Sequence, residues 1–191
     1  MKGLVFIRHA ETDLAGTFCG HSDPPLNARG QAQVDGLIAQ YTSEHFDAIY
    51  SSDLRRAVDT ATSLAQAFGV PHTTTSKLRE IYFGDWEAMT WVEIERKDAD
   101  HARRWAEAFP DVTAPNGEPY AIFKSRVLSE VDRLCDLAVD KRIAVVTHAG
   151  VMRIVLRNLL GYTEQQAREL TKPYCSFFTY SKIPTFEGVS R

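Results

Sequence analysis

The sequence predicts an α/β protein, a three-layer α/β/α stack around a mostly parallel central sheet, with a partly helical insertion over a crevice. Three observations lead there. Two apolar runs, Leu4-Val5-Phe6-Ile7 and Ile143-Ala144-Val145-Val146, are continuous rather than alternating, which suits strands covered on both faces of a parallel sheet. Strand-like and helix-like segments alternate along the chain. Both runs also end on polar groups, Arg8-His9 and Thr147-His148, and in open α/β sheets ligands bind at the carboxyl ends of the strands. His9 and His148 are therefore expected at the mouth of one crevice.

The elements follow in order. After the first strand, residues 13–25 form a loop punctuated by Gly16, Gly20, Pro24 and Pro25. Asn27 is placed to cap a helix over 28–41, with Ala32, Leu37 and Ile38 inward. Residues 46–50 read as a second strand ending at Ser51-Ser52. Asp53 opens a helix carrying Leu54, Ala57, Val58, Ala61 and Leu64, and Gly69 and Pro71 stop it. A third strand-like stretch covers 73–78. Residues 82–116 read as the insertion: Phe83, Trp86 and Trp91 gather around Gly84, and a helix runs over 90–109. A long amphipathic helix over 118–139 has Pro119 in its first turn and Val127, Leu128, Val131 and Leu134 inward. Gly150 opens a helix through Leu160, 164–170 is a short helix, and 176–180 is the last strand. Residues 1–191 are read as one domain.

Composition bounds the function. Hydrophobic residues at 44% and charged residues at 25% are ordinary for a soluble globular chain. A net charge of -3 implies no general attraction to nucleic acid or to a membrane surface. The first apolar run is too short for a signal peptide or a membrane span. Cys19, Cys135 and Cys175 are odd in number and lack paired spacing, so they read as reduced thiols of a cytoplasmic protein. Nothing in the sequence signals an oligomeric state.

The chemistry gathers at the strand ends. The first offers Arg8 and His9; the second offers Ser51 and Ser52, with Arg55-Arg56 in the next turn; the later one offers His148 before Ala149-Gly150. Arginines, histidines and helix amino ends make an anion site, and the guanidinium fork matches phosphate oxygens. Taken singly, a histidine after a strand is ordinarily a polar residue meeting solvent, and Arg55-Arg56 a solvated helix face. Their convergence on one edge carries the argument. Two histidines near carboxylates could instead bind metal, but closely spaced ligands are missing and arginine is in excess, so neither metal nor other cofactor is expected.

The ordered motifs resemble one family. Arg8-His9-Ala10-Glu11-Thr12, Pro25-Leu26-Asn27-Ala28-Arg29-Gly30, Ser51-Ser52-Asp53-Leu54-Arg55-Arg56-Ala57, Leu78-Arg79-Glu80 with Phe83-Gly84-Asp85-Trp86-Glu87, Asn116-Gly117-Glu118 and Val146-Thr147-His148-Ala149-Gly150 are similar, in order, to segments of the histidine phosphatase (phosphoglycerate mutase-like) superfamily. The resemblance implies a phosphomonoesterase acting on a small phosphorylated metabolite. It makes His9 the nucleophile that becomes phosphohistidine, Arg8, Arg56 and His148 the holders of the phosphoryl oxygens, and Glu80 the proton donor and later base. It also puts Gly20 among the phosphate- or substrate-binding residues, and the Gly20-His21 segment looks like the α-ribazole phosphatase branch. Asp85 and Glu87 are rivals of Glu80 at the rim, His21 and His72 read as ordinary loop and surface histidines, and Arg55 as surface. Trp86 and Trp91 read as pocket lining or packing.

The departures are specific. Ala10 and Ala88 stand where glycine is usual, and Leu14-Ala15-Gly16 replaces a stretch that in many members supplies a phosphate-binding asparagine. Two alternatives are weighed. Mutase-type phosphoryl transfer is disfavoured because such mutases are longer and the Phe83-Gly84-Asp85-Trp86-Glu87 segment is closer to the phosphatases. A non-catalytic phosphate-binding module is disfavoured because a binder needs no nucleophile paired with an acid.

Overall fold

A computed structural model describes residues 2–41 and 45–182, so the ends of the 1–191 assignment lie outside the described residues. Five strands form one sheet in the order β3-β2-β4-β1-β5: β1 (Gly3–Arg8), β2 (Ala48–Ser52), β3 (His72–Thr75), β4 (Arg142–Thr147) and β5 (Phe177–Tyr180). All neighbours run parallel except β5, which pairs antiparallel with β1 at the edge. The helices are α1 (Ala28–Gln40), α2 (Arg55–Phe68), α3 (Trp91–Lys97), α4 (Ala99–Ala108), α5 (Tyr120–Leu137), α6 (Ala149–Leu159) and α7 (Glu164–Thr171).

Alternate residues of the apolar strands face opposite layers, as the two-residue period requires. Val5 and Ile7 of β1 and Ala144 and Val146 of β4 pack with Leu37 of α1 and Ala57, Ala61 and Leu64 of α2. Leu4, Phe6, Ile143 and Val145 pack on the other face with Val127, Val131 and Leu134 of α5 and Val151 and Val155 of α6. Because both faces are covered, polar positions in these strands would be buried, which explains the unbroken apolar runs.

Several boundaries differ from expectation. Asp53 does not open α2: Leu54 is its N-cap, and the Asp53 carboxylate binds Arg79 through two bonds of 2.7 Å. The third strand stops at Thr75, whose hydroxyl accepts from the Lys77 N–H and starts a tight turn over Ser76–Leu78. The helix expected over 90–109 is two helices. Asp98 ends α3 in an extended conformation and its side chain caps α4 by accepting from the His101 N–H at 3.0 Å, an alternative to helical backbone bonding that short acidic side chains favour. The long helix begins at Tyr120, because Pro119 lies outside it as N-cap and Glu118 turns to Arg126 instead, 2.7 Å away. His72 is half-buried rather than a plain surface histidine, with one ring nitrogen 2.8 Å from the Ser51 hydroxyl.

Trp86 and Ile94 are buried with Ala102 and Ala114, and Phe18, Phe83, Trp91 and Trp105 pack around them. This small core fixes the 82–116 segment beside the carboxyl end of the sheet. Ala88 there has φ 62, a left-handed conformation that costs an alanine about 1 kcal/mol more than a glycine.

Candidate active site

In the register of the two central strands Arg8 lies beside Thr147, so the next residues, His9 and His148, emerge side by side. The His9 N–H donates to the Thr147 carbonyl at 2.9 Å, extending the ladder one residue past the strand. The Ala10 N–H donates to the Thr60 hydroxyl at 3.1 Å, and the methyl is wholly buried at a φ that is not positive. Alanine therefore serves where glycine is usual.

The His9 ring is oriented from both ends. Its Nδ1 lies 2.7 Å from the Ala10 carbonyl, which can only accept, so Nδ1 carries the hydrogen. Its Nε2 is then a bare lone pair, and it accepts from Nε–H of Arg56 at 3.2 Å. Burial, reinforced by the Arg56 and Arg8 charges, holds the His9 pKa well below the ordinary histidine value. The imidazole is thus neutral, with Nε2 as its unprotonated nitrogen. His148 stands with its ring centroid 5.1 Å away, 1% exposed, and neither ring nitrogen has a hydrogen-bond partner among the described residues. Its pKa is also well below the ordinary value, through burial first and then Arg56 and His9.

The two arginines are held by backbone carbonyls rather than carboxylates. Arg56, 1% exposed, donates to the carbonyls of Ser22 at 2.7 Å, Cys19 at 3.2 Å and Gly20 at 2.8 Å as well as to His9. Arg8 donates to the carbonyls of Thr171 at 3.0 Å and of Lys172, its guanidinium lies 4.0 Å from the Tyr174 ring centroid, and its buried Nε has no partner. With only neutral groups bonded to them, and Glu80 acting on Arg8 without a bond, the two cations keep a positive field at His9 that favours an incoming anion. Arg55 is mostly exposed and pairs with Asp59 on its own helix.

Glu80 enters from the opposite side, 9% exposed. Its carboxylate accepts from the Gly150 N–H at 2.8 Å, in the first turn of α6, and from the Ile81 N–H at 2.9 Å. A Cβ on Gly150 would fall 2.1 Å from Glu80 Oε1, so only glycine admits this close approach. Arg126 of α5 fastens the segment that carries Glu80, donating to the carbonyls of Lys77, Arg79 and Glu80 at 3.0, 2.8 and 2.9 Å.

The rim carboxylates do other work. Glu87 accepts from the backbone N–H groups of Gly20, His21, Ser22 and Phe83 and from the Ser22 hydroxyl, at 2.6 to 3.2 Å. Its burial alone would raise its pKa, but these donors outweigh that and hold it lowered, so it is an ionised clamp for the 20–22 loop. Asp85 is exposed and takes the Asn116 amide at 3.0 Å. Gly20 has its N–H engaged by Glu87 and its carbonyl by Arg56, and a Cβ there would meet Ile81 O at 2.3 Å. His21 packs on Tyr82 and bonds the Glu80 carbonyl, 3.1 Å.

Arg8, His9, Glu80 and Gly150 line one cavity of about 420 Å³; Arg56 and His148 are not lining residues but adjoin His9, and Gly20 lies outside the lining. Phe18, Phe83, Trp105, Phe109 and Tyr120 give the lining an aromatic part, and Arg153, Arg157 and Arg168 a cationic part, with Tyr120 and Arg157 bonded to each other where the two meet. Arg153, Tyr174 and Arg126 are among the neighbours of the site that escaped the sequence reading. Arg153 was legible in principle, three residues beyond Gly150 on one helix face. Tyr174 lies in a turn without periodicity and Arg126 on a helix surface, and neither carries a local signal. No cluster of three or more metal-ligating side chains occurs among the described residues.

The buried neutral histidines set a pH response. Unfolded, each titrates near about pH 6.5, so below that pH the unfolded chain holds more protons than the folded one. Stability is level above about pH 6.5 and falls as the pH drops through the depressed folded-state values. His21 and His72, also lowered by burial, act in the same sense. Urea unfolding between pH 7.5 and 5 should show this, and His148→Gln should reduce the slope by about 1.4 kcal/mol per pH unit. An unchanged slope would mean His148 is not buried neutral.

The relatives of the chain agree with this geometry. The histidine phosphatase superfamily (branch 1) matches residues 4–181. The adenosylcobalamin/alpha-ribazole phosphatase of Escherichia coli is 32% identical over 160 residues, covering 83% of this chain and 79% of that one. Phosphoserine phosphatase 1 of Hydrogenobacter thermophilus is 32% identical over 163 residues, 84% of this chain and 77% of that one. Among solved structures, the alpha-ribazole phosphatase from Shigella flexneri superposes with a TM-score of 0.82 at 28% identity, over 91% of this chain and 87% of the other. A mostly parallel sheet delivering two histidines side by side at its carboxyl end, and sequence matches along nearly the whole chain, place it in the histidine phosphatase superfamily, as a phosphatase of small phosphorylated substrates.

Proposed function

We propose that the phosphatase reaction runs through His9, and the observation that carries this is the His9 tautomer: Nδ1 tied to the Ala10 carbonyl, Nε2 unprotonated and accepting only from Arg56. The Nε2 lone pair attacks phosphorus, the P–O bond to the alcohol breaks, and Glu80 gives its proton to the leaving oxygen. In the second half Glu80 takes a proton from water, whose oxygen attacks phosphorus, and the P–N bond breaks to release phosphate and neutral His9. Splitting one displacement into two spares the need for water to attack an ester directly.

Arg8, Arg56 and His148 hold the equatorial oxygens in this reading. The buried, unpartnered Arg8 Nε and His148 ring nitrogens support it, since buried polar atoms without partners in a folded protein mark functional positions. One such fixed donor contributes about 10²–10³ in rate. Gly20, expected as a ligand, contributes by accepting from Arg56 rather than by offering its own N–H.

Water, not a second alcohol, is the proposed acceptor. The aromatic side of the cavity supports a leaving group with a flat ring, and α-ribazole 5'-phosphate, matching the name of the E. coli relative, is one compound of that kind. Hydrolysis of an ester labelled in its phosphate, in the presence of excess unlabelled phosphoglycerate, tests the acceptor: labelled phosphate released should equal the labelled ester consumed. Faster transfer to the phosphoglycerate hydroxyl than to water would make the protein a mutase.

A further inference from the structure

Phosphoryl chemistry at His9 leaves one cation in the cavity without a task. Gly150, Arg153 and Arg157 are spaced i, i+3, i+7 on α6 and all three line the cavity, so one helix face forms part of its wall. Gly150 holds Glu80 at the reacting end. With a rise of about 1.5 Å per residue, Arg153 leaves the helix about 4.5 Å further along and Arg157 about 10 Å further. The partners of the three arginines differ. Arg157 and Arg168 both pair with Glu164, at 2.7 and 2.6 Å. Arg153 donates only its Nε–H, to the Thr171 hydroxyl at 3.0 Å, and has no carboxylate partner among the described residues. It is half-buried, and burial lowers its pKa against the opposing pull of Glu80 and Glu164, neither of which is bonded to it among the described residues. Three arginines against one glutamate give this side of the cavity a net positive charge beyond what Arg8 brings to the phosphoryl group.

We infer that Arg153, backed by Arg157 and Arg168, recognises a second anionic group on the leaving alcohol, a carboxylate or a second phosphate a few atoms from the ester oxygen. The inference rests on the phosphatase reading and narrows its substrate. The fork of Arg153 has its terminal N–H groups free for two parallel bonds to such an anion, while its Nε is anchored. The relatives' names divide on this property: phosphoserine carries a carboxylate on its alcohol, and α-ribazole phosphate carries no acid besides its phosphate. Arg153 favours the first kind, and the aromatic side then packs against the carbon skeleton.

Matched esters test it. 3-Phosphoglycerate differs from glycerol 3-phosphate by a carboxylate in place of an alcohol, and 1,3-propanediol bisphosphate differs from 3-hydroxypropyl phosphate by a second phosphate. The wild-type protein should prefer the acid-bearing member of at least one pair by about tenfold or more in kcat/KM, the size of a charge-assisted contact. The pair that shows the preference identifies carboxylate or phosphate. Arg153→Gln should bring that ratio close to one. Should Arg153→Gln fail to fold, Arg153→Lys, which keeps the charge and loses the fork, should lower the ratio part of the way. Equal kcat/KM within both pairs in the wild type, or an undiminished ratio in the variants, overturns the inference. Failure of the phosphatase reading looks different: no member of either pair is hydrolysed, or hydrolysis is unaffected in His9→Gln.

Discussion

His9→Gln should lower kcat on a generic aryl phosphate by about 10⁴–10⁶-fold, the range seen when a covalent nucleophile is removed. The size follows from the geometry, because nothing else in the cavity can take over. The cysteine that lines the cavity, Cys19, has its pKa raised by burial, which keeps the thiol protonated against the weaker pull of Arg56. The Tyr174 ring is engaged by the Arg8 guanidinium, 4.0 Å from its centroid. Glutamine preserves the bulk of the imidazole and can still place an N–H toward the Ala10 carbonyl, so the fold should survive and circular dichroism should match the wild type. Rapid base quench with labelled substrate provides a second readout: the wild type should carry acid-labile, base-stable phosphate on His9, and the variant none. A His9→Gln rate within tenfold of wild type, or label mapped to another residue, rejects His9 as nucleophile.

As the proposed nucleophile, His9 is only as good as the charges around it. Arg56 donates one N–H to His9 and three more to carbonyls of residues 19–22, and Glu87 accepts from the N–H groups of residues 20–22. That loop is therefore gripped by a cation on its carbonyls and an anion on its N–H groups, and it in turn fixes the guanidinium. On the other side Arg8 is fixed by the carbonyls of Thr171 and Lys172 and by Tyr174. Cations held in place before substrate arrives need not reorganise as charge moves in the transition state, which is where electrostatic catalysis gains most. This also explains why their partners are carbonyls. A carboxylate would have held them as firmly but cancelled the charge.

The sheet was legible because burial on both faces leaves a direct trace, unbroken runs of Leu, Val, Ile and Ala in β1 and β4, and the residues just past them fell where strand ends must. Helix boundaries were less legible where a polar side chain had two competing uses. Asp53 reads as a helix opener, yet it spends its carboxylate on Arg79, a partner far away in sequence. Asp98 reads as one more polar residue of a long helix, yet it splits the helix by capping. In the site, His9, His148, Arg8 and Arg56 follow from strand ends and motif order, but Arg56 and His148 adjoin His9 without lining the cavity. That placement is set by packing between layers and has no local signature. Nor do Tyr174 and Arg126, which act through contacts made only when distant segments meet.

The second large effect concerns Glu80, and a glycine provides a clean way to reach it. In Gly150→Ala the new methyl would sit 2.1 Å from Glu80 Oε1 and 2.9 Å from the carboxyl carbon, so the carboxyl group must leave its place even though its own side chain is unchanged. Position 150 lies in the first turn of α6, where alanine is a better helix former than glycine, so stability should not suffer much. Activity should: a positioned acid–base group contributes about 10²–10⁴ in rate, and most of that depends on reach. Glu80→Gln removes the same function while keeping the shape and the bond to the Gly150 N–H through the amide oxygen. Both variants should therefore share one signature. An aryl ester whose leaving group departs without a proton should be slowed little in the first half-reaction, while an alkyl ester should be slowed by about 10²-fold or more. Plotted against leaving-group pKa, log(kcat/KM) should be steeper in both variants than in the wild type. Parallel plots would take the proton donor away from Glu80. Because Asp85 is exposed and bonded to Asn116, and Glu87 is committed to the 20–22 loop, neither rim carboxylate would be ready to replace it.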